Sequence, residues 1–175
     1  MNVRNKMWDG LYEKSGNRQQ SPFTSDLHNK VLKLIPDDVT TILDAGCGGG
    51  AFMSFLSENG NYKVEGVDQS PNGVRFVNEK LNMKAQVGDL VDLSQFPDKS
   101  FDMVVCSEVT EHLPMTVLVD VVTELARVTK KYLIFTNPFL EKLTANQLTC
   151  TNCLTRYHIA GHIHSIDESF MSPIV

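Results

Sequence analysis

Between Leu148 and Asp167 the chain reads LTCTNCLTRYHIAGHIHSID, which gathers two of the four cysteines and three of the five histidines. Cys150, Cys153, His158 and His162 follow the pattern C-x2-C-x4-H-x3-H. Thiolate and imidazole ligands at such spacings suit a tetrahedral zinc ion. In a reducing compartment a C-x-x-C pair serves metal or redox chemistry more often than a structural disulfide. A second reactive group stands upstream in SEVTEHL: Glu108, Glu111 and His112. A carboxylate, or an imidazole with an ordinary pKa of about 6.5, can take a proton from a hydroxyl or thiol. Glu111 and His112 are therefore the candidate catalytic residues. The structural alternative is that they open a helix, whose positive end favours the glutamate, while His158 and His162 pack near the mouth of a site. His164 reads as a surface or substrate-side residue.

A third group surrounds a glycine loop, DAGCGGGAF, Asp44 to Phe52. Glycine lets a backbone turn sharply and approach a ligand closely. Read as G-x-G-x-x-A, Gly46, Gly48 and Ala51 satisfy a dinucleotide pattern, which keeps a nicotinamide oxidoreductase among the readings. The acids argue against it. Asp44, two residues before Gly46, suits a cationic ligand and opposes a pyrophosphate. Asp68, twenty residues after Gly48, can accept from both hydroxyls of a ribose. Asp89, in GDL, can accept from an exocyclic amine such as that of adenine. Together they frame a nucleoside.

The elements that must position these residues follow from periodicity. Leu27, Val31 and Leu34 have helical spacing and Pro36 ends their segment. TILDAG is a short apolar run stopped by glycine, a buried strand. Phe52, Phe55 and Leu56 mark one helical face, ended near Gly60. Tyr62 to Asp68 is a second strand, and Ser70-Pro71 an N-cap followed by proline at the first helical position. Ala85 to Gly88 and FDMVVCS are third and fourth strands. Leu118, Val121, Val122, Leu125 and Val128 predict a helix, and YLIFT, from Tyr132, a fifth strand. The β-α-β-α-β-(loop)-β-α-β order implies an α/β fold, a doubly wound, mostly parallel sheet with helices on both faces. Ligands then sit at the carboxyl ends of the strands, among residues 44–50, 68–70, 88–90 and 106–114.

ILDAGCGGG, VEGVDQS, VGDLVDL and FDMVVCSEVTEHL, in this order, resemble the motifs of class I S-adenosylmethionine-dependent methyltransferases. The resemblance spans Thr41 to Pro138, with a weaker match at Trp8 to Tyr12. It implies strand order 3-2-1-4-5 and S-adenosylmethionine as cofactor. It also implies cofactor contacts from Asp44, Gly46, Cys47, Gly48, Asp68, Gln69, Asp89, Leu90, Ser107 and Glu108. Gly46 and Gly48 would approach the methionine part, Asp68 the ribose, and Asp89 with Leu90 the adenine. Ser107 and Glu108 would line the far side and the acceptor entrance. A bacterial subgroup carries a similar Cys/His segment after the fifth strand, with proline and glycine where this chain has Thr151 and Leu154. Glu108, Glu111, His112 and His162 are similar to the E-x-x-E-H…H site of small-RNA 3′-end ribose 2′-O-methyltransferases, where a divalent metal holds the ribose hydroxyls. TNPF, at Thr136 to Phe139, resembles the loop of amino-group nucleic-acid methyltransferases, but follows the wrong strand and reads as a strand ended by proline.

The expected organisation is one domain over residues 1–175. Residues 1–40 form an N-terminal helical cover, 41–137 a cofactor-binding core, and 138–175 a Cys/His-containing acceptor-side segment. Strands six and seven, which complete members of the fold carry, are expected to be missing, which leaves the fifth strand open to pair with a second copy in a homodimer. Contents of 42% hydrophobic and 21% charged residues are those of an ordinary soluble domain. A net charge of -5 disfavours a broad nucleic-acid or anionic-membrane face. No apolar run approaches the roughly 20 residues of a membrane span, and MNVRNKMWDG lacks a signal-peptide core, so a cytoplasmic protein is expected. The leading expectation is methyl transfer to a small-molecule or glycan-precursor acceptor. A metal-dependent RNA ribose 2′-O-methyltransferase and a non-catalytic S-adenosylmethionine-binding protein are the alternatives.

Overall fold

Every residue of Thr41–Ala45 after the first is buried, because this strand, β1, has a parallel neighbour on each side. Lys63–Asp68 (β2) pairs with it on one edge and Phe101–Ser107 (β4) on the other. Lys84–Val87 (β3) extends the sheet beyond β2, and Thr129–Thr136 (β5) beyond β4. The order is β3-β2-β1-β4-β5, as the resemblance implies. The computed structural model describes residues 8–10, 12–13 and 22–171; the rest of the expected N-terminal cover lies outside them.

Alternation along the central strands divides the core between the two faces. Ile42, Met103 and Val105 point to one side, where Val31 of helix α1 (Pro22–Leu34) meets Phe52, Phe55 and Leu56 of α2 (Ala51–Asn59). Leu43, Val104 and Cys106 point to the other, against Val121, Leu125 and Val128 of α4 (Met115–Val128). Between them in sequence, α3 (Pro71–Lys80) packs Val74 and Val77 on Met53 and Ala85. Full burial of each such side chain contributes about 1.5–3 kcal/mol before its entropy cost. The turns that leave the parallel strands therefore fall at one edge of the sheet, the carboxyl edge.

The opposite edge is pinned by Asp102. Its Oδ2 accepts from the amides and hydroxyls of both Thr40 and Thr41, at 2.7–3.1 Å. The Thr41 hydroxyl in turn accepts from the Asp102 amide at 2.8 Å. Hydrogen bonds from Thr40 first, and from Thr41, hold the Asp102 carboxyl far below the ordinary range. The loop from β3 to β4 is tied down by Arg127, which donates to Glu124, Asp98 and the carbonyls of Leu93 and Phe96. Glu124 Oε2 also accepts from the Leu93 amide at 2.8 Å.

β5 begins at Thr129, three residues before the strand read from YLIFT. The Thr129 hydroxyl closes α4 on the Leu125 carbonyl at 2.6 Å, and the chain enters the sheet at once. An irregularity shifts the register between Phe101 and Met103, and the exposed Lys130 and Lys131 hide the strand signal. Among the described residues the main sheet has five strands. Gln147–Thr149 (β6) and Arg156–His158 (β7) form a separate antiparallel ribbon, and Glu168–Met171 (α5) is a single helical turn. No helix is long and apolar enough to cross a membrane among the described residues.

Arg127 first, then the Leu93 amide, depress the Glu124 carboxyl to about 2. A depressed carboxyl adds stability above its unfolded value of about 4.3, and loses it as pH falls through the folded value. Glu124→Gln should therefore flatten the stability profile between about pH 5 and 2. The expected difference is at most about 2 kcal/mol after solvent screening, measured by urea unfolding at stepped pH. Equal acid slopes would contradict it.

Candidate functional site

Two glycines of the loop after β1 occupy conformations that a side chain would strain. Gly46 has φ +86° and Gly48 φ +51°. A Cβ on Gly46 would lie 2.5 Å from Val109 Cγ2, and one on Gly48 would overlap the Tyr12 hydroxyl. The loop is held by the neighbouring strand. The amides of Gly46 and Cys47 donate to the Val67 carbonyl at 2.8 and 3.1 Å. The two oxygens of Asp68 accept from the amides of Gly48 and Ser70, each at 2.8 Å. Burial raises the Asp68 carboxyl, against the pull of those two bonds.

Ser70 continues the arrangement into α3. Its hydroxyl caps the helix by accepting from Gly73 N at 3.0 Å, and donates to Asp9 Oδ1 at 2.7 Å. Asp9 also accepts from the amide of Asn72 at 2.9 Å and its side chain at 3.0 Å. A carboxylate at the first turn is favoured by the helix dipole. The helical residues 8–10 and 12–13 are thereby fastened over the glycine loop. Sequence reading noted Trp8 and Tyr12 but missed Asp9; its signal was an acid between two aromatics opposite an Ser-Pro-Asn cap.

These elements line one open cleft. Gly46, Asp68 and Gln69 form one wall, Gly88, Asp89 and Leu90 a second, and Trp8 with Tyr12 a third. Glu108, Val109, His112 and Leu113 close the acceptor side. Asp44 lies behind the loop, 3% exposed, with Oδ2 lacking any partner. Burial, and then the charge of Asp68, push it to about 7. A buried carboxylate oxygen without a donor is costly, and Asp44 stands one layer behind the residues that line the cavity. Cys47 turns the other way, into the core beside Met53, Val74 and Val77, and burial drives its thiol far up. That position can serve a ligand only through its backbone.

On the acceptor side, Glu108 adopts φ +57°, unusual for a residue with a side chain. Thr136 donates to Glu108 Oε1 at 3.2 Å and shares a 2.7 Å hydrogen bond with Ser107. Burial raises the Glu108 carboxyl, opposed by Thr136. Thr110–His112 form a short 3-10 turn, separate from α4, so Glu111 and His112 do not open that helix. Glu111 is 1% exposed, and burial, reinforced by Glu108 and Glu141, pushes it to about 8. Its Oε1 has no hydrogen-bond partner. Asn137, with its amide nitrogen turned toward Thr110 and Glu111, reaches Glu111 Oε2 at 3.2 Å. His112 Nδ1 pairs with the Gly161 carbonyl at 3.3 Å, and the Trp8 ring meets His112 edge-on at 5.0 Å.

The Cys/His segment does not assemble as the zinc site that its spacing suggests. Cys150 and Cys153 sit in the turn between β6 and β7, where Cys153 Sγ donates to the Thr155 hydroxyl at 3.4 Å. Thr155, followed by Cys150, draws the Cys153 thiol down to about 7. His158 and His162 face inward, toward acids. Among the described residues two groups bring ligand atoms within 4.8 Å of one another: Glu111, His112 and His162; and Glu141, His158 and His162. Neither contains a cysteine. The set Cys150, Cys153, His158 and His162 is therefore corrected: the ribbon carries the thiols at its outer turn and the imidazoles at its inner end. Of the E-x-x-E-H…H residues, Glu111, His112 and His162 converge, and Glu108 is not among them. His164 is not a free surface residue, since Nε2 pairs with the Leu113 carbonyl at 3.0 Å. Glu141 and Asn137 were not anticipated. TNPF was read only as a strand stop, and nothing in the sequence ties Glu141 to histidines seventeen and twenty-one residues away.

A parallel sheet ordered 3-2-1-4-5, with acids at the ends of successive strands around a glycine loop, defines a nucleoside-cofactor-binding α/β protein. A family model described as a methyltransferase domain matches residues 43–135, and the chain belongs to that family. It is 38% identical over 79 residues to a 2-methyl-6-phytyl-1,4-hydroquinone methyltransferase of Synechocystis, covering 43% of this chain and 24% of that protein. It is 33% identical over 92 residues to a ubiquinone biosynthesis O-methyltransferase of Coxiella burnetii, covering 47% and 38%. The chain thus matches well under half of the length of these relatives. A crystal structure of a SAM dependent methyltransferase from Archaeoglobus fulgidus superposes with TM-score 0.66 at 21% identity, covering 94% of this chain and 71% of that one. That likeness concerns the fold. A Pyrococcus horikoshii protein gives TM-score 0.61 at 26% identity, covering 72% and 65%.

Trp8 is the only tryptophan, so its fluorescence reports the closure of the N-terminal turn on the glycine loop. Gly48→Ala should displace Tyr12 and red-shift Trp8 emission, at a stability cost of about 1–2 kcal/mol. Unchanged emission would show that the turn is held independently of Gly48.

Proposed function

We propose that the chain is an S-adenosylmethionine-dependent methyltransferase acting on a small-molecule acceptor. The observation that carries this reading is the paired disposition of Asp68 and Asp44: one clamped at the cavity wall where a ribose would bond, the other buried with an unpartnered oxygen suited to an ammonium. Gln69, Asp89 and Leu90 complete the nucleoside end, and Ser107 and Glu108 the acceptor entrance. The cofactor supplies an activated methyl group on a sulfonium. The remaining work is alignment of the acceptor and exclusion of water, for which Trp8, Tyr12 and Leu113 provide the cover. His112 is the group on the cavity wall that can receive a hydroxyl proton, with its ring oriented by Gly161 and Glu111 behind it. Two relatives whose names specify hydroquinone and ubiquinone biosynthesis support an aromatic hydroxyl or ring-carbon acceptor.

A second reading rests on the convergence of Glu111, His112 and His162. Two imidazoles and a carboxylate with an orphaned oxygen form a ligand set for a divalent cation. With the cation held there, an acceptor presenting adjacent hydroxyls, such as a terminal RNA ribose, would be the substrate.

Calorimetry with S-adenosylmethionine should give micromolar binding, weakened at least about tenfold (about 1.4 kcal/mol) by Asp68→Ala. Absence of binding to the wild-type chain would remove the proposal. Transfer of labelled methyl across an acceptor panel then separates the readings. Turnover of quinols without added metal supports the first, and Mn²⁺-dependent labelling of RNA 3′ ends the second. Tight binding with no turnover on any acceptor would favour a binding protein without catalysis.

A further inference from the structure

The two ring nitrogens of His162 have different acidic neighbours. Nδ1 lies 2.5 Å from Glu141 Oε2, while Nε2 faces Glu111 Oε1 at 3.9 Å. Glu141 accepts but cannot donate when ionised. The ring proton of His162 is therefore drawn to Nδ1, and a lone pair is left on Nε2, on the side of Glu111.

Glu141 is itself held from two directions. Asn146 donates to Oε1 at 3.1 Å, and His158 Nε2 approaches the same oxygen at 3.3 Å. The tautomer of His158 is also defined, because its Nδ1 accepts from the backbone amide of His162 at 3.2 Å. Its proton then sits on Nε2, 3.3 Å from Glu141 Oε1 but outside hydrogen-bonding geometry, so His158 steadies Glu141 by proximity rather than by a hydrogen bond. The side chain is 4% exposed, so no bulk water competes for that proton. The result is a closed loop: the amide of His162 sets His158, His158 faces Glu141, and Glu141 sets the ring of His162. His158 and His162 stack at 4.6 Å, which keeps the loop planar and tight.

His112 borders the same space from the other side, with Nδ1 3.3 Å from the Gly161 carbonyl and Nε2 3.9 Å from Glu111 Oε1. The Nε2 lone pair of His162 and the unpartnered Glu111 oxygen thus meet beside the His112 ring.

We propose that Glu141, steadied by His158, is a positioning residue that fixes His162 in the Nδ1–H tautomer and so presents its Nε2 lone pair to the space shared with Glu111 and His112. Its functional weight rests on the cation reading given above. In that reading Glu141 is the outer carboxylate of a carboxylate–histidine–metal arrangement, which orients the ring and raises its basicity. Two features of the geometry favour this assignment over plain packing. The contact is to a ring nitrogen rather than a ring face, and the partner carboxylate is held by its other oxygen.

Two-bond ¹H–¹⁵N correlation spectra of the histidine rings report the tautomer directly. At about pH 9, well above the ordinary histidine value of about 6.5, His162 should be the Nδ1–H form. Glu141→Gln, which keeps an accepting oxygen, should retain it; Glu141→Leu should convert it to Nε2–H. An Nε2–H ring in the wild-type chain, or an unchanged ring in Glu141→Leu, overturns the proposal, and the first outcome needs no variant to fold. Mn²⁺ titration followed by electron paramagnetic resonance tests the reading beneath it. Binding to the wild-type chain, weakened about 10–100-fold in Glu141→Leu and rescued by Glu141→Gln, supports both. A wild-type chain that binds no Mn²⁺ but switches tautomer in Glu141→Leu supports the positioning role while removing the cation.

Discussion

The carboxylate of Asp68 is the point on which the cofactor side of the molecule turns. It ends β2, yet its two oxygens bind the amide of the glycine loop after β1 and the amide that opens α3. Three elements are thus registered against one rigid group. Remove it and the left-handed Gly48 loses its tether, the Ser70 cap loses its backbone anchor, and Asp9 loses the surface it docks on. A charged acceptor makes stronger bonds than a neutral one, and that is needed here, because burial opposes the charge. Burial, and then this same carboxylate, raise Asp44 behind it. The loop therefore keeps more buried acid than its own donors satisfy, with Asp44 Oδ2 the unpartnered atom. In the proposed reading, hydroxyl donors at Asp68 would add to the amides that already hold it.

The cofactor half was legible in the sequence because its determinants are local. Gly46, Gly48, Asp68 and the Ser70-Pro71 cap each lie at the end of a strand or the start of a helix, where spacing along the chain translates into position in space. The strand order is instead what the resemblance to class I methyltransferases implies, and the sheet has it. The acceptor half was not legible in this way. C-x2-C-x4-H-x3-H has the spacing of a ligand set, but a two-stranded ribbon separates its members. The cysteines occupy the turn and the histidines the base, and a β-strand carries each residue about 3.3 Å further from the turn. Glu141, Asn137 and Asp9 complete the site from distant positions through tertiary contacts, which no linear pattern encodes.

The two halves also differ in how their charge is managed. On the cofactor side, carboxylates are compensated mainly by backbone amides, which are fixed dipoles. On the acceptor side, Glu108, Glu111 and Glu141 are interleaved with His112, His158 and His162, whose protons can relocate. A site of fixed dipoles suits a ligand bound the same way in every cycle. A site of movable protons suits a group whose charge changes during the reaction, as an acceptor hydroxyl does.

The attachment of the acceptor-side segment follows from this division. Residues 139–166 reach the core through hydrogen bonds of Ile163 to the Glu111 carbonyl, His112 to the Gly161 carbonyl and His164 to the Leu113 carbonyl, while Leu140 to the Ile166 carbonyl closes the segment on itself. Ile166 is its one fully buried aliphatic side chain, whereas Leu148, Leu154, Tyr157 and Ile159 face outward. A segment held by a few polar contacts and little apolar burial belongs to the low-stability end of a fold. These three attachments end on the turn that carries Glu111 and His112, or on the residue directly after it. Any displacement of the segment therefore reaches the acceptor residues first, while the Asp68 clamp, on the far side of the cavity, stays as it is.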